Sequence, residues 1–325
     1  MKQLSYLFVM LALVLLATAT GPVGLRDYWR PAHFPEPAYD FAANPLRQGR
    51  VELGKRLFYD EILSADGTIA CATCHSPFAA FAHTDHDLSH GIDDRIGLRN
   101  APALFNLAWT TSFHHDGAHH SIELQPLAPI HHEDEMGSSI NEVITRLRGD
   151  SSYAADFQRA FGEEGVTGPN LLKALAQFQL TLVSAGARYD RIKAGRDSFT
   201  NQELKGYQLF KANCNACHTE PLFTNYAFER NGLAVDTTLN DFGRMMITNL
   251  PEDSLRFKVP SLRNLSFTHP YMHDGRFRKL RQVLRHYATR EDPIPLSAND
   301  QSDLIAFLLT LDDREFVLNK EHRPW

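Results

Sequence analysis

Two five-residue stretches carry the most specific chemistry in this chain. Cys71-Ala72-Thr73-Cys74-His75 and Cys214-Asn215-Ala216-Cys217-His218 both read C-x-x-C-H. At this spacing each thiol can form a thioether to one porphyrin edge, and the next residue brings an imidazole under the iron. It is the attachment signature of a c-type haem. The chain has four cysteines, and all four fall in these motifs. The competing readings are a disulfide within each pair or a zinc site. Zinc draws four thiolate or imidazole ligands into one cluster, whereas here each pair carries its own histidine. The spacing therefore predicts two covalent haems, with His75 and His218 as proximal ligands.

Further candidates lie in two regions. The first holds Arg99-Asn100-Ala101-Pro102, Phe113-His114-His115-Asp116-Gly117, Gln125 and Glu135-Met136-Gly137. The second holds Val259-Pro260-Ser261-Leu262-Arg263-Asn264 and Thr268-His269-Pro270-Tyr271-Met272-His273-Asp274-Gly275. Taken alone, Glu135 reads as a solvated acid in the run Glu133-Asp134-Glu135. Histidines are dense at 114, 115, 119, 120, 131 and 132. Without an identified carboxylate partner they are weak evidence for a metal site, and they read as the polar rim of a haem pocket. His83, His86 and His90 follow the first motif in a loop.

The two C-x-x-C-H motifs, the D-G followed by E-M-G, and V-P-S-L-R-N with P-Y-M-H-D-G resemble the bacterial di-haem cytochrome c peroxidases and their relative MauG. The match covers roughly residues 50 to 312. The resemblance implies a peroxide-reacting N-terminal haem and a C-terminal haem that stores and passes electrons. It implies a catalytic glutamate directly before Met-Gly, here Glu135, and a distal-pocket role for Gln125. Breaking a peroxide O–O bond requires a proton to leave one oxygen and arrive on the other, which a carboxylate over an open haem face can shuttle. It implies a resting cap on the peroxidatic iron from the loop histidines, with His90 as the candidate. It also implies one calcium ion at Asn100, Thr268 and Pro270, a hard oxygen site of the kind calcium prefers. One departure stands out. The family usually has Trp directly before Asp-Gly, and here that position is His115. A neutral imidazole is much harder to oxidise than an indole, so electrons must pass between the haems by another aromatic or by direct tunnelling. None of the three Trp (Trp29, Trp109, Trp325) occupies this position, though Trp109 is close in sequence.

The family's sixth ligand to the C-terminal haem lies fourteen residues beyond the His of P-Y-M-H, which is Tyr287. Leu280, Val283, Leu284 and Tyr287 follow i, i+3, i+4, i+7, so they share one helix face. His286 is the rival ligand, about 100° round that helix; Met272, Met245 and Met246 are others. A phenolate at Tyr287 stabilises ferric iron and lowers the potential, which favours MauG-like storage of oxidising equivalents.

The elements that must position these groups are mainly α-helical with long loops, in two cytochrome c-like haem domains. Leu53-Gly54-Lys55-Arg56-Leu57-Phe58 precedes the first motif and is echoed by Lys205-Gly206-Tyr207-Gln208-Leu209-Phe210 before the second. This reads as an internal duplication with a longer loop in the first copy. Thr200 and Glu203 have capping-box spacing. Leu171, Leu172, Leu175, Phe178, Gln179 and Leu182 follow the helical period within a mostly helical stretch from Ile140 to Leu182. Ala185 to Phe199 is polar and reads as the linker. The expected domains are 25–188, peroxidatic, and 189–325, electron-transferring.

Residues 1–19 resemble a secretory signal: Lys2, an unbroken apolar run from Leu7 to Leu16, then Ala17-Thr18-Ala19. An uncleaved membrane anchor is the alternative. Export to the periplasm agrees with c-type haem, which is attached outside the cytoplasm. Of the 325 residues 43% are hydrophobic, ample for a core, and the net charge of −6 points to neither nucleic acid nor an anionic membrane. The sequence thus predicts an exported di-haem peroxidase using hydrogen peroxide and a small electron donor, a cytochrome c or cupredoxin. The alternatives are a MauG-like oxidase acting through high-valent iron on a protein or small molecule, and a non-enzymatic di-haem carrier. A homodimer is left open.

Overall fold

The computed structural model describes residues 28–324. The signal-like segment 1–19 lies outside them. Among the described residues no helix is long and apolar enough to cross a membrane. The architecture is helical. In chain order the main helices are α1 (Gln48–Phe58), α2 (Ile140–Gly149), α3 (Ser151–Phe161), α4 (Gly168–Leu180), α5 (Arg188–Lys193), α6 (Asn201–Asn213), α7 (Leu280–Thr289) and α8 (Ala298–Leu308). Two short antiparallel strands, β1 (Phe228–Arg230) and β2 (Arg256–Lys258), set Phe228 opposite Lys258.

Two helix crossings explain the sequence echo. A Cβ on Gly54 of α1 would sit 1.9 Å from the carbonyl oxygen of Ala174 on α4. A Cβ on Gly206 of α6 would sit 1.9 Å from the carbonyl oxygen of Asp303 on α8. Only glycine lets these backbones cross so closely. Each copy is thus a glycine-marked helix pressed on a later helix, with the haem motif following. The motif comes directly after α6 and only after a longer loop beyond α1. The capping box at α6 forms as its spacing predicts: Thr200 Oγ1 accepts from the Glu203 amide at 3.2 Å, and Glu203 Oε2 accepts from the Thr200 amide at 2.7 Å.

Packing follows the period-3.6 pattern. Leu171, Leu175, Phe178 and Leu182 join Leu53, Leu57, Phe58 and Phe81 in one apolar cluster. Gln179, the polar member of that stripe, is buried and bonds the carbonyl of Leu175. Tyr189, Phe210, Phe223, Leu284, Leu304 and Phe307 form a second cluster. A third, around Phe34, Trp109, Phe113 and Leu222, draws on both halves. The last turn of the chain returns to the first cluster through Phe316 and Val317.

The segment from Ala185 to Phe199 is more than a tether. It forms α5, whose Tyr189 and Asp190 are buried. Asp190 takes two hydrogen bonds from the fully buried Arg263, at 2.8 and 2.7 Å, and a third contact from His33 at 2.9 Å. Of the charges that make the segment look like a linker, Asp190 is buried against Arg263 and His33, while Arg188 pairs at the surface with Asp197.

Candidate active site

One cavity of about 830 Å³ is lined by both motifs. Cys74 and His75 contribute from the first, and Cys214, Cys217 and His218 from the second. None of the four cysteines is in a disulfide. Each proximal histidine is oriented by a backbone carbonyl. His75 Nδ1–H donates to Phe81 O at 3.0 Å, and His218 Nδ1–H donates to Pro260 O at 3.1 Å. A carbonyl can only accept, so both rings are fixed with Nε2 deprotonated when neutral, the form in which an imidazole ligates a metal. Burial pushes His75 down to about 4 and His218 downward as well. Paired thiols, a neutral axial imidazole and a cavity of this size fit a covalently held haem at each motif.

Glu135 and Gln125 line the same cavity. Burial raises the Glu135 carboxyl, against a smaller lowering by His132. The acid is therefore not the solvated member of the run that local sequence suggests. Its backbone is braced from the histidine loop: Ile92 N–H donates to Glu135 O at 2.8 Å. A Cβ on Gly91 would lie 2.2 Å from the Asp134 carbonyl oxygen and 2.5 Å from Glu135 Cα. Only glycine lets the loop come this near, and no local pattern in the sequence marks this contact.

His114, His119 and His132 also line the cavity, while His131 and His120 are exposed. Burial pushes His114 down to about 4, and its Nε2 has no hydrogen-bond partner. No group of three His, Cys, Asp or Glu that could hold a metal ion occurs among the described residues. His90 is not among the lining residues. Its Nδ1 bonds Asp94 at 2.9 Å and its ring stacks on His86 at 4.1 Å. Its carbonyl accepts from Cys74 Sγ at 3.5 Å, so the loop backbone, not the ring, meets the motif.

His115 lies in the wall of the cavity. Its Nε2–H donates to Asn100 O at 3.0 Å. Burial, helped by the Arg99 charge, pushes it down to about 3, so it is neutral. Trp109 is elsewhere, in the third apolar cluster, with Nε1–H donating to Pro35 O. The aromatic rings that do line the cavity include Phe113, Tyr226 and Phe257.

Leu280, Val283, Leu284 and Tyr287 all line the cavity from α7. Burial raises the Tyr287 hydroxyl, while Arg290, whose guanidinium carbon lies 5.2 Å from the ring centroid, lowers it. Tyr287 lines the same cavity as Cys214 and Cys217 of the second motif. His286 points away, with Nε2 on the Asn231 carbonyl at 2.8 Å. Met272 lines the cavity; Met245 and Met246 do not.

Asn100, Thr268 and Pro270 line it too. The Asn100 side-chain nitrogen donates to Asp87 O at 3.0 Å, which leaves the amide oxygen as its acceptor end. Its backbone N–H donates to His273 O at 2.7 Å, tying the position to the segment that follows Pro270. A neutral set of amide and carbonyl oxygens suits a hard cation. Arg99, quoted in the stretch Arg99-Asn100-Ala101-Pro102, lines the cavity as well and is gripped by Asp116 and by both oxygens of Asp241. Lys258, Arg230 and Arg290 also line it and escaped the sequence reading, because none of them sits in a motif whose spacing carries chemistry.

A helical fold with two haem-attachment motifs facing one cavity defines a di-haem c-type oxidoreductase. The chain belongs to the di-haem cytochrome c peroxidase and MauG family. The family model described as di-haem cytochrome c peroxidase matches residues 48–198. The methylamine utilization protein MauG of Methylorubrum extorquens is 38% identical, over 91% of this chain and 88% of that protein. The cytochrome c551 peroxidase of Nitrosomonas europaea is 33% identical, over 85% and 84%. The crystal structure of a MauG-like protein associated with microbial copper homeostasis superposes with a TM-score of 0.83 at 29% identity, covering 92% of this chain and 99% of that one.

Proposed function

We propose that this chain is an exported di-haem peroxidase that reduces hydrogen peroxide at the N-terminal site with electrons delivered through the C-terminal site. Cys71, Cys74 and His75 hold one haem; Cys214, Cys217 and His218 hold the other. The observation that carries the reading is Glu135: a carboxyl lifted by burial, in the same cavity as His75. Haem bound at each motif would supply reducible iron, and Glu135 shares the cavity with His75. Reduction of one peroxide to two waters consumes two electrons and two protons. Glu135 would accept a proton from one peroxide oxygen and return it to the other as the O–O bond breaks. Gln125 holds peroxide by a hydrogen bond. A resting cap by His90 requires its ring to leave Asp94 and turn inward. Tyr287 would ligate the second iron, and Asn100, Thr268 and Pro270 would hold calcium. The electron donor is a small cytochrome c or cupredoxin in the periplasm, the compartment consistent with c-type haem attachment and the signal-like start.

The second reading is a MauG-like oxidase whose substrate is a protein or small molecule. Tyr287 lining the cavity favours it, because an anionic phenolate ligand disfavours reduction by a high-potential donor. A di-haem carrier is disfavoured by the acid placed at the first site. The test is steady-state peroxide consumption with several reduced donors. Turnover that depends on peroxide and on Glu135 supports the peroxidase. No turnover with any donor, with both haems bound, overturns it.

A further inference from the structure

Among the described residues Lys258 forms no ion pair of its own. It ends β2, and its backbone N–H donates to His115 O at 2.7 Å. Its Nζ donates to Ser112 O at 2.6 Å. An ammonium has two further N–H bonds to satisfy. Burial lowers this ammonium to about 8, with Asp116 pulling the other way. Asp116, however, is committed to Arg99. The other cations of the lining are provided for. Arg99 also holds Asp241, Arg263 holds Asp190 in a two-pronged pair, and Arg290 donates to Asp292 O. Arg230 is exposed and donates to Ser254 O. Lys258 lines the cavity with no ion pair among the described residues: its partners are the Ser112 carbonyl and the Phe113 ring, whose centroid lies 5.9 Å from Nζ.

A buried charge is costly unless paired. The pair here must therefore arrive with whatever fills the cavity. Each haem that fits the cavity brings two propionate carboxylates. The strand places Lys258 where both halves meet: Ser112 and His115 belong to the segment before the first D-G, while Pro260, which orients His218, lies two residues beyond Lys258. We propose that Lys258 binds a haem propionate at the seam between the two haem sites, as a positioning residue that sets the potential of that haem. The inference rests on the di-haem reading and not on peroxide turnover.

The chemistry gives the direction. Ferric haem carries one more positive charge than ferrous, so a nearby cation disfavours it and raises the midpoint potential. Removing the cation lowers that midpoint. The experiment compares wild type, Lys258→Met, Lys258→Gln and Lys258→Arg by pyridine haemochrome analysis and redox titration. The expected result is one of two midpoints falling in Lys258→Met and Lys258→Gln, with Lys258→Arg returning it toward wild type. Loss of a haem from the Met and Gln variants but not from Arg also supports the pairing, since only charge separates them. Unchanged midpoints in Lys258→Met with both haems bound overturn the proposal, as does an Arg variant that behaves like Met. Fewer than two haems on the wild-type protein fails the di-haem reading itself, which keeps the two failures apart.

Discussion

The amide of Ile92 donates to the carbonyl of Glu135 at 2.8 Å, so the loop that carries His83, His86 and His90 also holds the backbone of the candidate proton shuttle. Glu135→Gln keeps the shape and removes the base. It is expected to lower peroxide turnover by about 10²–10⁴-fold with both haems retained. Burial raises this carboxyl, and only the carboxylate accepts a proton. Wild-type turnover should therefore fall as pH drops through the raised value, and that acid limb should be missing from Glu135→Gln. A variant with near wild-type rates would reduce Glu135 to a bystander.

Gly91 offers a separate handle on the same geometry. A methyl group there meets the Asp134 and Glu135 carbonyl oxygens at 2.2 and 2.4 Å, so backbone must shift. Misplacement of a reacting group by about 1 Å costs roughly 10²-fold. Gly91→Ala should lose turnover on that order while the haem count stays at two. Stopped-flow peroxide kinetics on the loaded protein would read it, and unaltered kinetics would mean the brace is irrelevant to catalysis.

Tyr287 and His286 are adjacent in sequence but differ in role: Tyr287 lines the cavity, whereas His286 does not and bonds the Asn231 carbonyl through Nε2. Tyr287→Phe is expected to change the low-spin EPR signal and raise the potential of the second haem, because loss of an anionic ligand destabilises ferric iron. His286→Gln should leave both where they are. The reverse pattern would assign that iron to histidine.

The Asp190–Arg263 pair makes a stability prediction. Burial alone would raise Asp190, but the bonds from Arg263 and His33 outweigh it and its pKa falls. A depressed folded value means the pair's contribution is complete above the ordinary carboxylate pKa and is lost as pH falls through the folded one. Arg263→Met leaves a buried carboxylate without its partner and is expected to cost about 3–5 kcal/mol. Chemical denaturation at neutral pH measures the loss. Repeating it at low pH should narrow the gap between variant and wild type, and a gap independent of pH would assign the cost to packing instead.

Local pattern and fixed spacing are what the sequence by itself determined. C-x-x-C-H needs only five consecutive residues to specify haem attachment. The stripe from Leu171 to Leu182 and the face from Leu280 to Tyr287 need only the helical period, and Thr200 with Glu203 only the geometry of one turn. The family motifs added Glu135 and Tyr287 as candidate sites. The tertiary structure decided what depends on residues far apart in the chain. Gly54 and Gly206 look like ordinary breaks in good helices until Ala174 and Asp303 press against them. Asp190 looks like linker charge until Arg263, 73 residues on, is found holding it. Glu135 looks solvated until the loop at Gly91 closes over its backbone, and Lys258 looks like any strand lysine until the cavity encloses it. Burial and pairing arise between segments, and both set the charge state of a side chain, so these roles exist only once the chain has folded.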